Sequence, residues 1–445
     1  MDEFSHPITI YAFKLNYMSK RILITSIPSW NQNGSNTWSS LFACFDSSDV
    51  ANIYIDPEMP DSKVASRYFN IREHAVVKSV IFRKTKTGQE VFVTDSHASK
   101  KVASEYAKDQ KKVKYFLRHR WRIFMWLREL AWKLGVWKSK EIDDFITDFQ
   151  PEVLAFAIEN YPYFNRLNEY IIDKYKPKKV IGFLWDDNFT YKQRPHSFLF
   201  KIERFFVRKQ NRRLISKCTD ILTICPKMKE ECDAEFGVNS TILTKPIFQQ
   251  GEFTPIVISS PIRILYTGKL VIGRDKTIAE VASAIKEINK GEQKVILDVY
   301  TNTLLTEKMR RAINIPDCCI LHDPVPQSEV FKLQKEAHIL LFAESLSDND
   351  LTARLSFSTK LTDYFAAGKC VWGIGNKDLG PISYIAERDA GFVSCDVSSV
   401  REVLQKMVTY PSLIQDYAKK AYDCGVKYHN GNEIIDKLMN EIVEY

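Results

Sequence analysis

The sequence predicts an α/β protein: two Rossmann-like, doubly wound parallel sheets facing each other across a cleft. Three observations lead there. Short apolar runs alternate with helical stretches in both halves of the chain. The 445 residues suffice for two domain-sized cores, or at most three. A Pro- and Ser-rich stretch with little periodicity, "KPIFQQGEFTPIVISSP" (245–261), separates the halves. The expected division is an N-terminal domain over 1–250 with a basic helical insert near 100–140. A second domain covers 251–425, and a terminal helix over 426–445 crosses back to the first. Ligands of such sheets sit at the carboxyl ends of the strands.

In the first half the apolar runs are "RILITSI" (21–27), "ANIYI" (51–55), "EVLAFAI" (152–158) and "KKVIGFLW" (178–185). The first ends in "PSWNQNGSNTW", a loop carrying Gly34. The second half is cleaner. Strands are expected at "RILYTG", "KVILDVY", "CCILHD", "HILLFAE", "CVWGIG" and "GFVSC". Helices fall between them, from "KTIAEVASAIKEINK" to "SVREVLQKMV".

Composition is that of a globular chain, 45% apolar and 27% charged. No apolar run approaches the roughly 20 residues that span a bilayer. The first residues, "MDEFSHPITIYAFKLNYMSKR", lack a basic stretch followed by an apolar one, so they do not read as a signal peptide. Nine cysteines without framework spacing fit a reducing, cytoplasmic compartment. Net charge is +8, and its placement says more than its size. Residues 100–140 hold 13 Lys/Arg and 3 Asp/Glu, or +10, which leaves the remainder slightly acidic. A chain that wraps nucleic acid would spread its cations, and no base-reading motif is present, so nucleic acid is not expected as a partner.

Three constellations carry chemistry. In "YTGKLVIGRDKTIAEV" (266–281) a strand ends at Gly268, and Lys269, Arg274 and Lys276 crowd the junction to the next helix. Such cations neutralise a diphosphate. After two neighbouring strands, Tyr300 and Val325 form a slot for a flat base, although turn chemistry accounts equally well for the prolines around Val325. In "ARLSFSTKLTDYFAAGK" (353–369), Ser358 is a potential N-cap, with Thr359 and Lys360 opening the helix. Helix amides, hydroxyls and a lysine make a seat for phosphate. Asp363, one turn on, would point to an attached ribose. A plain cap and a surface aspartate are the competing account. Asp348-x-Asp350 in "SDND" has the look of a loop rather than a metal site.

Together these stretches resemble the nucleotide-sugar glycosyltransferases of GT-B architecture, nearest to the retaining type of bacterial polysaccharide assembly. That family's donor domain reads Gly-Arg-Leu followed by Arg or Lys, and later Pro-Ser-Lys-Leu-x-Glu-Tyr-x-Ala-x-Gly-Lys-Pro-Val. Here the matching stretches are "TGKL…GRDK" and "FSTKLTDYFAAGKCV". The resemblance implies that Lys269, and Arg274 or Lys276, contact diphosphate. It also implies that Thr359 stands for the family serine and Asp363 for the ribose-binding glutamate. The family's other glutamate is replaced by Leu355, with Glu344 a substitute across a longer loop. "CTDILTICPKMKEECDAEFG" (218–237) is a further pattern match. Where relatives have a sugar-contacting His, this chain offers Trp185, Asp186 and Asp187, and Asp187 is expected to orient donor or acceptor. Gly34 lies where relatives let the donor phosphate or the acceptor approach the backbone.

In "KKVKYFLRHRWRIFMWLRELAWKLGVWKSK" (111–140), Phe116, Ile123, Leu127, Leu130 and Leu134 share one helical face. Arg118, Arg122 and Lys133 lie opposite, and Trp121, Trp126, Trp132 and Trp137 lie at the borders. This pattern suits an anionic membrane surface; a core-facing helix with a solvated basic side is the alternative. The resemblance implies a polyprenyl-diphosphate-linked glycan as acceptor and a peripheral position on the inner face of the cytoplasmic membrane. The expected chemistry is retaining, metal-independent sugar transfer in surface or capsular polysaccharide assembly. No cofactor is needed beyond the nucleotide-sugar substrate. A sugar-nucleotide epimerase and a non-catalytic membrane-binding protein on a degenerate transferase fold are the rival readings.

Overall fold

A computed structural model of the chain describes residues 20–31, 37–92, 122–193, 197–248 and 252–443. The first sheet has eight strands: β1 (Ile22–Ser26), β2 (Val50–Tyr54), β3 (Arg67–Ile71), β4 (Gly88–Val91), β5 (Val153–Ala157), β6 (Lys179–Leu184), β7 (Asp220–Thr223) and β8 (Thr241–Ile242). Their order is β4-β3-β2-β1-β5-β6-β7-β8, parallel throughout except for β3–β4. The second sheet holds β9 (Ile262–Thr267), β10 (Val295–Tyr300), β11 (Cys319–His322), β12 (Ile339–Ala343), β13 (Cys370–Ile374) and β14 (Phe392–Ser394). It runs β11-β10-β9-β12-β13-β14, all parallel. Every apolar run named from the sequence is a strand. Residues of β1, β2, β5, β6, β12 and β13 are buried throughout, because helices cover both faces.

Local chemistry fixes the helix ends. Ser197 accepts the Phe200 amide to start the helix Phe198–Ile215. Asp396 and Ser399 form a reciprocal capping box at Val397–Thr409. Gly237, at φ 69°, stops Pro226–Phe236 in a left-handed cap.

One hydrophobic core fills the first sheet and continues across the junction to Phe357, Leu361 and Phe365 of the second half. At that junction His429 is held from both sides, Nδ1 against Thr244 Oγ1 and Nε2 against the Tyr384 hydroxyl, each at 3.0 Å. Burial, with Arg388 nearby, lowers its pKa to about 4. The helix Gly431–Val443 then lies along β8: the Ile247 amide donates to His429 O (2.9 Å), and Thr241 Oγ1 donates to Glu441 (2.7 Å).

The basic insert departs from its expected arrangement at two of its tryptophans. Of the residues named there, Phe116, Arg118 and Trp121 lie outside the described residues, as do the side chains of Arg122 and Ile123. In the helix Arg122–Leu134, Leu127, Leu130 and Leu134 face outward, about half exposed, while Trp132 and Trp137 are interior. Trp132 stacks on Tyr163 at 4.7 Å, and its indole N–H donates to Glu73. Two of the four tryptophans expected at the borders therefore anchor the insert to the core, while Trp126 stays half exposed.

Candidate functional site

The carboxyl ends of β9 and β12 and the start of the helix Thr359–Ala366 meet at one place. Gly268 follows β9 with φ +148°, a region favouring glycine, and a Cβ there would stand 2.7 Å from Lys360 Nζ. That ammonium donates to Thr267 O (3.3 Å) and lies 4.8 Å above the Tyr266 ring. Burial foremost, then repulsion from Arg274, lowers the Lys360 pKa to about 8. Ser358 occupies the N-cap position, but its hydroxyl makes no capping hydrogen bond. The first amides of a helix have no intrahelical acceptor; here Leu361 N already donates to Ser358 O at 2.9 Å, which leaves those of Thr359 and Lys360. Lys269 is exposed on the adjoining loop and Lys276 in the first turn of the helix Arg274–Ile288 that follows it, and the Lys269 carbonyl accepts the Tyr266 hydroxyl (2.9 Å). The Gly268 loop and the Lys360 turn are thus neighbours on the same edge of their sheet.

Two expected ligands occupy each other instead. The Arg274 guanidinium forks onto both oxygens of Glu344 (2.9 and 2.7 Å), and Glu344 is 3% exposed. The charge of Arg274 is therefore neutralised locally, as is that of Glu344. Asp363 is gripped by Lys245 at 2.5 Å, so the carboxylate expected at ribose has a cationic partner from the chain after β8. Tyr300, the last residue of β10, stacks face to face on His322 at 4.4 Å, and His322 Nε2 meets Asp298 at 2.7 Å. Val325 is half-buried in the loop after β11. Gly34 lies outside the described residues.

Asp187 corrects the expectation for the opposite wall. It is fully buried, its carboxylate taken by the Thr190 amide (2.9 Å), the Thr190 hydroxyl and Arg354 Nη2 (3.5 Å). Those bonds shape the turn after β6 and leave the side chain no access to a substrate. Its neighbour Asp186 opens to the cleft and accepts Ser356 Oγ at 2.6 Å. Beside it, Glu159 follows the end of β5; its loop is pinned by Asn165, which bonds the Glu159 amide and carbonyl at 3.2 and 2.9 Å. Enclosure, then repulsion from Asp186, raises Glu159 to a pKa of about 7, opposed by a hydrogen bond from Trp185. Enclosure and the charge of Asp187 raise Asp186 as well, against the Ser356 hydrogen bond. Glu159 escaped the sequence reading, although an acid directly after the apolar run 152–158 was a signal for it.

The walls are joined by a cluster around Arg354, 4% exposed, which reaches from the second half to both carboxylate oxygens of Glu231 and toward Asp187. Leu351 N donates to Gln193 O (2.9 Å), and Lys227 Nζ to Asp378 O (2.7 Å). Among the described residues no group of three or more His, Cys, Asp or Glu is placed to hold a metal ion. Asp348 is engaged by Asn376 and Asp350 by Thr352.

No family model matches the chain, and no curated protein matches it. Solved structures do. TarM of S. aureus aligns with TM-score 0.60 at 9% identity over 96% of this chain and 99% of that one. HepE from Anabaena, solved with UDP, aligns with TM-score 0.60 at 7% identity over 96% and 100%. WaaG, described as a glycosyltransferase involved in lipopolysaccharide biosynthesis, aligns with TM-score 0.54 at 12% identity over 95% and 99%. The fold is that of the GT-B glycosyltransferases, two Rossmann-like domains facing a cleft.

Proposed function

We propose that this protein transfers a sugar from a nucleoside-diphosphate donor to a lipid-linked or polysaccharide glycan, with retention, in surface or capsular polysaccharide assembly. The observation that carries the reading is the packing of Lys360 on Gly268 at the uncapped start of the helix Thr359–Ala366. An ammonium and a helix N-terminus at one strand end stabilise the charge that grows on a departing diphosphate. Lys269 on the adjoining loop and Lys276 in the first turn of the next helix supply further positive charge. HepE was solved with UDP and with UDP-glucose, which favours a uridine nucleotide as donor. Glu159 and Asp186 face the transferred sugar from the opposite wall.

The acceptor side favours work at a bilayer. Trp126, Leu127, Leu130 and Leu134 are exposed on one helix, and Phe198, Ile202, Phe205 and Phe206 on its neighbour Phe198–Ile215. The helices are tied by Trp126 Nε1 donating to Glu203 at 2.8 Å. Ile81 and Phe82 extend the strip, and Arg83 bonds Leu134 O at 2.7 Å. Exposed Lys84, Lys133 and Lys201 flank it. An apolar strip rimmed by cations fits the boundary of an anionic leaflet. No described helix is long and apolar enough to cross it.

The test is a nucleotide-sugar panel read by release of nucleoside diphosphate, with and without a polyprenyl-diphosphate glycan. Acceptor-dependent release is expected. Conversion of the donor without any acceptor would favour an epimerase, and failure to bind any nucleotide would leave a binding protein.

A further inference from the structure

A second polar cluster lies at the carboxyl ends of β1, β2 and β3. The amides of Ile55 and Asp56 bond to Ile27 O at 3.2 and 2.9 Å, which fixes Asp56 against the first strand's loop. The Asp56 carboxyl is half-buried and has no hydrogen-bond donor among the described residues. Beside it, Glu58 accepts Asn31 Nδ2 at 3.3 Å. Glu73, opening its helix, holds Arg128 through both oxygens, so that guanidinium is already neutralised. Arg128 lies over the rings of Tyr163 (4.6 Å) and Tyr161 (5.7 Å). Tyr163 is 2% exposed, and its hydroxyl has no partner among the described residues. It lies within electrostatic reach of Arg128, Glu73, Tyr161 and Asp56. Tyr161 is half-buried, at the N-cap of Pro162–Tyr175.

We propose that this cluster seats the reacting-end sugar of the acceptor, an uncharged ring whose hydroxyls bond Asp56 and the Tyr163 hydroxyl while its apolar face lies on Tyr161. The assignment of the ring as acceptor rests on the glycosyltransferase reading above. A carboxyl group beside an aromatic face is matched to a sugar, which offers hydroxyl donors around its rim and C–H groups on its faces. A phosphorylated sugar fits poorly. Asp56 and Glu58 repel it, and the cation at hand, Arg128, is spent on Glu73. Burial first, and Glu58 second, raise Asp56 to a pKa of about 6, as expected where no cation offsets the charge fully.

Saturation-transfer NMR on the whole protein tests this, with methyl glycosides of glucose, galactose and N-acetylglucosamine against glucose 6-phosphate. At least one neutral glycoside should give signal in the wild type. The signal should fall about tenfold in Asp56→Asn, the loss of one charge-assisted hydrogen bond. Tyr161→Ala, at a half-exposed ring, should lower it as well, and a melting curve checks the fold of each variant. The proposal is overturned if no glycoside binds, if glucose 6-phosphate binds better, or if the signal survives both substitutions. UDP titrated into the wild-type protein reads the other site. Its failure to bind removes the transferase reading, whatever the glycosides do.

Discussion

Ser356 Oγ donates to Asp186 Oδ1 at 2.6 Å, joining the loop before the phosphate-side helix to the loop after β6. The bond crosses the cleft from one half of the chain to the other. Together with Arg354 it holds the two walls at a fixed separation. The separation of the two walls is therefore set by side chains at the cleft itself.

Arg354→Met should loosen that closure. Removing one partner of a buried ion pair typically costs about 3–5 kcal/mol, because the remaining carboxylates stay buried without compensation. A drop in melting temperature and a larger radius of gyration in small-angle scattering are expected. Unchanged values for both would mean that the cluster does not hold the halves together.

Lys360 predicts a pH limit on nucleotide binding. With its pKa lowered to about 8, the ammonium loses its proton as pH rises through that value. UDP affinity should weaken between pH 7 and 9, and Lys360→Met should be weak throughout, with a flat profile. Calorimetric titration at several pH values decides it. Lys269→Ala should lose most turnover while melting normally, and normal rates in that variant would remove its assignment to phosphate.

Glu159, raised to about 7, predicts an inflection in kcat/KM near neutrality. The ionised form accepts hydroxyl hydrogen bonds more strongly, so the rate should climb as pH rises through 7. Glu159→Gln resembles the protonated form and should stay at the low-pH rate with no inflection. A variant profile that keeps the step would assign it to another group.

His429 makes stability itself pH-dependent. Its folded pKa of about 4 lies below the unfolded value near 6.5, so the unfolded chain takes up the proton first as pH falls. The contribution is fully present above about 6.5 and is lost as pH drops toward 4. It amounts to roughly 3 kcal/mol at most, from about 1.4 kcal/mol per pKa unit. Urea midpoints at pH 7.5 and 4.5 should differ more in the wild type than in His429→Gln.

The apolar strip predicts flotation with vesicles containing phosphatidylglycerol, and weaker flotation with phosphatidylcholine alone. Each buried Leu or Phe contributes on the order of 1.5–3 kcal/mol. Leu127→Glu with Phe206→Glu should therefore abolish binding without disturbing the core, since both side chains are more than half exposed. Flotation of the double variant at wild-type levels would place the contact elsewhere.

The strands of the second half were legible because each is a run of buried apolar residues bounded by turn chemistry. β3 and β4 were not named in advance. "RYFNI" is short and mixed, and "GQEV" has no apolar pattern; it pairs as an antiparallel edge. Among the site residues, sequence spacing brought Gly268 and Lys360 onto one sheet edge. It could not show that Arg274 and Glu344, 70 positions apart, neutralise each other, nor that Lys245 reaches Asp363. Such pairings depend on which strand ends lie side by side, and local periodicity carries no information about that. In the insert the apolar face of Leu127, Leu130 and Leu134 is exposed, while Trp132 and Trp137, expected at its borders, pack inward. A helical wheel orders the positions but does not say where the border meets the protein, and Trp132 stacked on Tyr163 marks that line.

The helix Gly431–Val443 also shields the outermost strand of the first sheet, a two-residue strand with one side unpaired. A truncation ending at Tyr428 would remove that cover together with His429, exposing bare amide and carbonyl groups to any passing chain. Shortened forms should therefore self-associate on expression, long before any question of turnover can be asked of them.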